Sequence, residues 1–412
     1  MHNVNVDEFT RGWRILFAAS LGVAFGASPL PFHAIGPLTV PLTEEFGWGR
    51  GDIQFALFLF KLAVVVLVPV IGGFADRAGV RGLAIASLAA FGLLFASLAF
   101  TPDSLLTFYL IWILAGALGG FSAPVSWSRG VNGWFVESRG LALAVMLTGT
   151  GLTAAMMPAY TAWLIENFGW RITFVGIGML PLLVAMPFVV AWFREAHDKR
   201  GPSSSARPIA QGVTMATALR DYRFWALAVS IVAIAIGMGG MISNFVPLLM
   251  DRDFERQSAG NIASVIGFTI IVGRIATGYL IDRYWAPGVT FPLLTMPALA
   301  CLILAGQEVS SGYALAAAVM IGLAAGAEMD LVAYLSARYF GLAHYGKIYG
   351  VQYSLFALIS GLSPFLFGSV YDHFGNYQPI LYVAAAGFLI GGCLLLTMGR
   401  YPDFRPLVPQ PA

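Results

Sequence analysis

Apolar runs of about twenty residues or more recur along this chain, separated by short polar turns. As a helix, a run of that length crosses the roughly 30 Å hydrocarbon core of a bilayer. Only 11% of the 412 residues are charged and 58% are hydrophobic, whereas soluble domains carry about 25% charged residues. No soluble fold of this size hides so much apolar surface. The solvent is therefore lipid, and the backbone must satisfy its polar groups within helices. The runs are continuous and not alternating, which argues against a β-barrel. They predict an all-α membrane protein with spans at 13–39, 52–75, 82–100, 105–131, 140–166, 170–193, 221–249, 258–281, 287–306, 311–337, 345–371 and 377–399.

The twelve spans divide into two copies of one unit. Gly72-Gly-Phe-Ala-Asp76-Arg77, between the second and third spans, returns as Gly278-Tyr-Leu-Ile-Asp282-Arg283, an offset of 206 residues. The same offset relates Pro41-Leu42 to Pro247-Leu248, Gly140 to Gly346, and Glu166-Asn-Phe-Gly169 to Asp372-His-Phe-Gly375. Several matches in one register read as a duplication. They predict six-helix bundles at 1–193 and 221–412, joined by a polar linker at 194–220 that contains Pro202-Ser-Ser-Ser205.

With the N-terminus inside, sixteen Lys and Arg residues fall in cytoplasmic segments. Only Arg50, Arg171, Arg252 and Arg256 fall in external loops. That bias predicts both termini in the cytoplasm and placement in a cell membrane, such as a bacterial inner membrane. The first run is too long for a cleaved signal peptide. Cys301 and Cys393 sit in apolar runs and read as packed thiols, not a disulfide framework. No basic patch suits nucleic acid. No metal-ligand spacing, catalytic set or phosphate-binding Gly-Lys-Ser/Thr loop occurs, so neither an enzyme nor an ATP-driven pump is indicated and no cofactor is expected.

The ionisable residues inside the spans carry the functional signal. A charge at mid-bilayer costs about 2.5–3.5 kcal/mol, so Lys61, Arg129, Arg274, Glu328 and Asp330 left facing lipid would cost on the order of 10 kcal/mol or more. They must pair, face the interior or line water, and a transporter's aqueous cavity supplies that setting. The Arg274 guanidinium is a rigid fork that fits a carboxylate with two bonds; a structural ion pair is the alternative. Lys61, halfway along its span, suits an anionic substrate or a carboxylate partner. Arg129 lies near the inner end of its span, where it contacts substrate, forms a gate or snorkels to water. Glu328 and Asp330 point about 200° apart on a helix, so at most one faces a cavity squarely. One of them carries a proton, or both are static partners of Arg. His33 is a candidate ligand or an ordinary hydrogen-bonded core imidazole. Trp127, Asn244, Tyr334, Tyr349, Gln352 and Tyr353 shape a pocket or simply pack.

Twelve spans in two halves, with Gly72-x-x-x-Asp76-Arg77-x-Gly79-x-Arg81 in the second-to-third loop, resemble the major facilitator superfamily. That resemblance implies that Asp76, Arg77 and Arg81, and in the second copy Asp282 and Arg283, contact neighbouring helix ends and gate the carrier. It also implies that the first, fourth, seventh and tenth spans line a central cavity. Trp134-Phe135-Val-Glu-Ser-Arg139-Gly140-Leu141-Ala142, with Gly149 further on, is similar to the fifth-helix signature of monocarboxylate transporters and oxalate–formate antiporters. Ala144 and Thr153 stand where that branch often has glycine. Arg274-Ile-Ala-Thr-Gly278 resembles its eighth-helix carboxylate anchor, although Ile270 replaces an Asp found in animal members. Their first-helix Lys is also missing, with His33 nearby. The expectation is a secondary transporter, acting as a monomer, that moves a small organic anion, a monocarboxylate, with protons. An anion exchanger or a proton-driven exporter of amphipathic compounds is the alternative.

Overall fold

The computed structural model describes residues 6–78, 80–135, 138–194, 212–341 and 343–402. Gly79, most of the 194–220 linker, and the side chains of Asp76, Arg77 and Asp330 lie outside the described residues; Gly72 is described in its backbone only.

The described chain is helical: α1 (Val6–Ala24), α2 (Leu30–Phe46), α3 (Arg50–Ala78), α4 (Val80–Ser97), α5 (Leu105–Gly119), α6 (Pro124–Trp134), α7 (Arg139–Leu180), α8 (Met186–Trp192), α9 (Met215–Arg220), α10 (Tyr222–Met250), α11 (Arg256–Ile281), α12 (Ala286–Ala305), α13 (Ser311–Phe340), α14 (Tyr345–Phe374) and α15 (Gln378–Leu396). Nine helical stretches among the described residues are long and apolar enough to cross a membrane. One of these, Gly140–Trp192, holds two spans, because Gly169 adopts φ 77°, ψ 168° and turns the chain. With α3 and the α1–α2 pair this gives the twelve predicted segments.

The two copies share local devices. Gly375, the counterpart of Gly169, also takes a positive φ, 69°, a conformation that favours a residue without Cβ. Ser104 caps α5 by accepting from the Thr107 amide, and Ser310, at the same offset, caps α13 by accepting from Tyr313. Pro41 and Pro247 both sit inside helices.

Two spans expected to be continuous are interrupted. The first breaks between Ala24 and Leu30, and the fourth between Gly119 and Pro124, where a short 3₁₀ turn intervenes. Hydropathy does not separate a helix from an apolar break, but Gly26, Pro29, Gly119, Gly120 and Pro124 are the residues that permit one.

The helices sort into two compact units. The first comprises Met1–Lys199, Gly239–Phe268 and Gly361–Tyr377. Its core is an aromatic cluster in which Phe60, Phe91, Phe95, Phe108 and Trp112 are fully buried. Glycines let parts of α10, α11 and α14 press onto α2, α3 and α7: Gly36 lies against the Ser243 carbonyl, Gly368 against Gly51, and Gly267 against Ala155. The second unit comprises Arg200–Met238, Thr269–Ser360 and Gln378–Ala412. There α12 packs between α13 and α15, with Cys301 and Leu304 buried, and the Ser230 hydroxyl donates to the Gly391 carbonyl. Lipid-facing stripes remain apolar; Leu106, Leu110, Leu114 and Leu118 of α5 recur every fourth residue on one exposed face. The expectation for the cysteines holds for one of them: Cys301 is buried, whereas Cys393 is exposed on α15. An apolar run reports a lipid environment, and does not say which face of its helix a residue takes.

Candidate functional site

The first unit brings its two interrupted spans together. The α1 break frees the Ala24 carbonyl and the Ala27 amide. Thr153 of α7 donates its hydroxyl to the first, and the Ser122 hydroxyl accepts from the second at 2.9 Å. Ser122 also receives the Trp127 indole N–H on its carbonyl, while its own amide donates to Ser87. Gly149 lies directly on the Ser20 carbonyl of α1. The signature glycine and its Thr neighbour therefore seat the first span on the fifth, and the threonine that departs from the family pattern satisfies a carbonyl that the break leaves open. Trp127, offered above as a pocket residue, is fully buried and edge-on to Phe193.

Beyond that break, α2 carries Phe32 and His33, whose rings meet edge-on at 5.3 Å. The Lys61 ammonium of α3 lies 5.5 Å from the centre of the Phe32 ring, a cation–π contact. Gly361 of α14 abuts the Lys61 stem. Among the described residues, no carboxylate comes within ion-pairing distance of Lys61. Arg129, in contrast, is exposed on α6, as snorkelling requires.

One end of this unit is held by a residue read from sequence as an ordinary loop cation. Arg50, only 8% exposed, opens α3 and grips Asp251 with two bonds of 2.6 and 2.8 Å. Its guanidinium lies 3.6 Å from the centre of the Tyr371 ring and also donates to Tyr377. The Asp372 carboxylate accepts from the Arg50 and Gly51 amides at 2.8 and 2.7 Å, capping α3 from the end of α14. Asn244 belongs to the same assembly. It accepts from the Tyr377 hydroxyl and donates to the Gly240 carbonyl, so its amide is engaged in holding helices. Arg81 donates to the Val190 carbonyl near the end of α8.

The second unit holds the remaining candidates. Gly273 of α11 lies on Leu323, and Gly326 of α13 lies on the Ile270 carbonyl and the Arg274 amide, so these two helices touch where their charges sit. Arg274 is half-buried. Glu328 is 6% exposed, and its Oε1 has no hydrogen-bond partner among the described residues. On α14, Tyr345, Tyr349 and Tyr353 form a ladder with successive ring separations of 5.3 and 5.8 Å. Between the last two of these, Gln352 donates to the Phe224 carbonyl, and its buried Oε1 has no hydrogen-bond partner among the described residues. Tyr334 donates to the Ile281 carbonyl, so its hydroxyl braces α11. Asp282 and Arg283 are exposed, with Arg283 folded over the Tyr279 ring at 3.5 Å.

Sequence reasoning missed Ser122, Arg50 and Asp251. Ser122 has a local signal in the glycines around it. The Arg50–Asp251 pair spans 201 residues and has none.

A sequence profile of the Major Facilitator Superfamily matches residues 15–364. Human "Monocarboxylate transporter 11" is 26% identical over 94% of the chain and 81% of its own length. The "Uncharacterized MFS-type transporter YhjX" of Escherichia coli is 26% identical over 74% of the chain and 76% of its own length. Among solved structures, a bacterial homologue of the human lysosomal transporter Spinster, in an inward-facing and occupied conformation, superposes with a TM-score of 0.67. Its identity is 17%, over 94% of this chain and 97% of that one, and this likeness concerns the fold.

Proposed function

We propose, from the premise that the chain belongs to the Major Facilitator Superfamily and is a membrane transporter rather than an enzyme, that its cargo is a small organic anion, a monocarboxylate, moved with a proton. The observation that carries this reading is Lys61: a cation in the middle of a span, beside an aromatic ring, with no carboxylate partner among the described residues. Holding such a charge away from bulk water is costly unless a counter-ion is supplied, and an anionic solute supplies one. Arg274, in the second unit, is a further candidate, with a guanidinium that suits a carboxylate. The human relative is named as a monocarboxylate transporter, which supports this chemistry.

Glu328 is the acid suited to coupling. Its Oε1 has no hydrogen-bond partner among the described residues, which leaves it able to take up and release a proton as its surroundings fill and empty. Substrate and proton then cross together while the sequence halves 1–193 and 221–412 rock in alternating access, in a monomer with both termini cytoplasmic. Exchange of one organic anion for another rests on the same cation, which has no carboxylate partner among the described residues, and is the second reading.

Proteoliposomes test the cargo. Lys61→Met removes the charge at nearly constant volume and raises the KM for lactate about tenfold or more, the loss expected for one charge-assisted bond. An unchanged KM removes Lys61 from the site. For coupling, Glu328→Gln keeps lactate counterflow but no longer accumulates lactate when a pH difference is imposed. Accumulation equal to wild type excludes Glu328 as the carrier, and counterflow indifferent to pH in the parent protein favours exchange.

A further inference from the structure

The second unit has a hollow of about 680 Å³ where the α11–α12 turn, the last turn of α13 and the chain just beyond α15 meet. Among the described residues, Arg283, Arg338 and Arg400 line it, with Asp282 the single acid. All three guanidinium groups are on exposed residues, and none forms an ion pair among the described residues. The aromatic walls are fixed. The Trp285 indole donates to the Gly399 carbonyl at 3.1 Å, the Tyr401 hydroxyl accepts from the Ala286 amide at 2.9 Å, and Arg338 lies 4.6 Å from the centre of the Tyr401 ring. Neighbouring Tyr279 and Tyr284 are more than half exposed, as aromatic residues at a membrane–water boundary are.

Three guanidinium groups with no ion pair among the described residues, set on an aromatic wall beside exposed boundary tyrosines, form a receptor for a phosphate group. We infer that this hollow binds the head group of an anionic phospholipid of the glycerol type. Arg338 and Arg400 take the phosphate, and Asp282 accepts a hydrogen bond from a head-group hydroxyl. Basic pockets beside transmembrane helices recognise acidic head groups in this way. The site overlaps the second copy of the loop motif at Asp282 and Arg283, but the cargo cations Lys61 and Arg274 do not line it, and its occupant stays in the membrane.

The full-length protein in phosphatidylcholine nanodiscs, with and without phosphatidylglycerol, tests the assignment. Retained lipid is read by native mass spectrometry, and folding by the melting temperature in phosphatidylcholine alone. Wild type retains phosphatidylglycerol, and Arg338→Gln and Arg400→Gln each weaken retention about fivefold, the equivalent of about 1 kcal/mol per arginine. Lysine at either position keeps most of it. Asp282→Asn, a change on an exposed side chain, reduces the preference for phosphatidylglycerol over phosphatidic acid. Soluble glycerol 1-phosphate fails to displace the lipid if the occupant comes from the membrane. Displacement with the same arginine dependence supports the phosphate site but assigns it to soluble esters. Equal retention in wild type and both glutamine variants overturns the proposal.

Discussion

Arg50 shows how much one residue can organise. Its side chain joins α3 to the end of α10 through Asp251, while its amide and that of Gly51 join α3 to α14 through Asp372. Breaking a well-buried pair costs about 3–5 kcal/mol and an exposed one less than about 1. With Asp251 partly solvated, Arg50→Ala is expected to destabilise the protein by about 2 kcal/mol, visible as a lower melting temperature in detergent. A melting temperature equal to wild type would mean that this end is held by its glycine contacts alone. From sequence Arg50 is one of four external cations; its partner lies 201 residues away, and no local pattern announces such a pair. Lys61, Arg274 and Glu328 were legible for the opposite reason: a charge inside an apolar run is conspicuous wherever its partners are.

At the scale of elements, the interrupted spans matter most. Hydropathy locates the first and fourth spans, yet it averages over the breaks at 25–29 and 120–123, because the residues there are as apolar as those around them. Such breaks persist only where neighbours satisfy the freed backbone groups, and here Thr153 and Ser122 do so. Thr153→Val leaves the Ala24 carbonyl without that donor and is expected to cost about 1–3 kcal/mol. Thr153→Ser, which keeps the donor, should recover most of the loss. If valine and serine behave alike in thermal unfolding, the hydroxyl has no part in holding the break. The glycines of the duplicated Asn-Phe-Gly and His-Phe-Gly stretches both take positive φ, a turn that the sequence reading, which used them only as a repeat, did not single out.

For the whole molecule, composition fixed the class, since a chain with 11% charged residues has no soluble solution of this size. The loop motif and the 206-residue offset then pointed to a duplicated carrier, and the family match over 15–364 agrees. What the sequence did not disclose is how the helices group. Segments 239–268 and 361–377 of the second half join the first half in one compact unit, through close glycine contacts that hydropathy cannot register. The central proposal remains chemical: cations inside the spans, Lys61 and Arg274, each serve an anionic cargo. Its most direct test is initial-rate lactate uptake at low concentration in proteoliposomes containing wild type, Lys61→Met or Arg274→Lys. Both variants should lose uptake by about tenfold or more and recover part of it at high lactate; uptake at the wild-type rate in both would contradict the account.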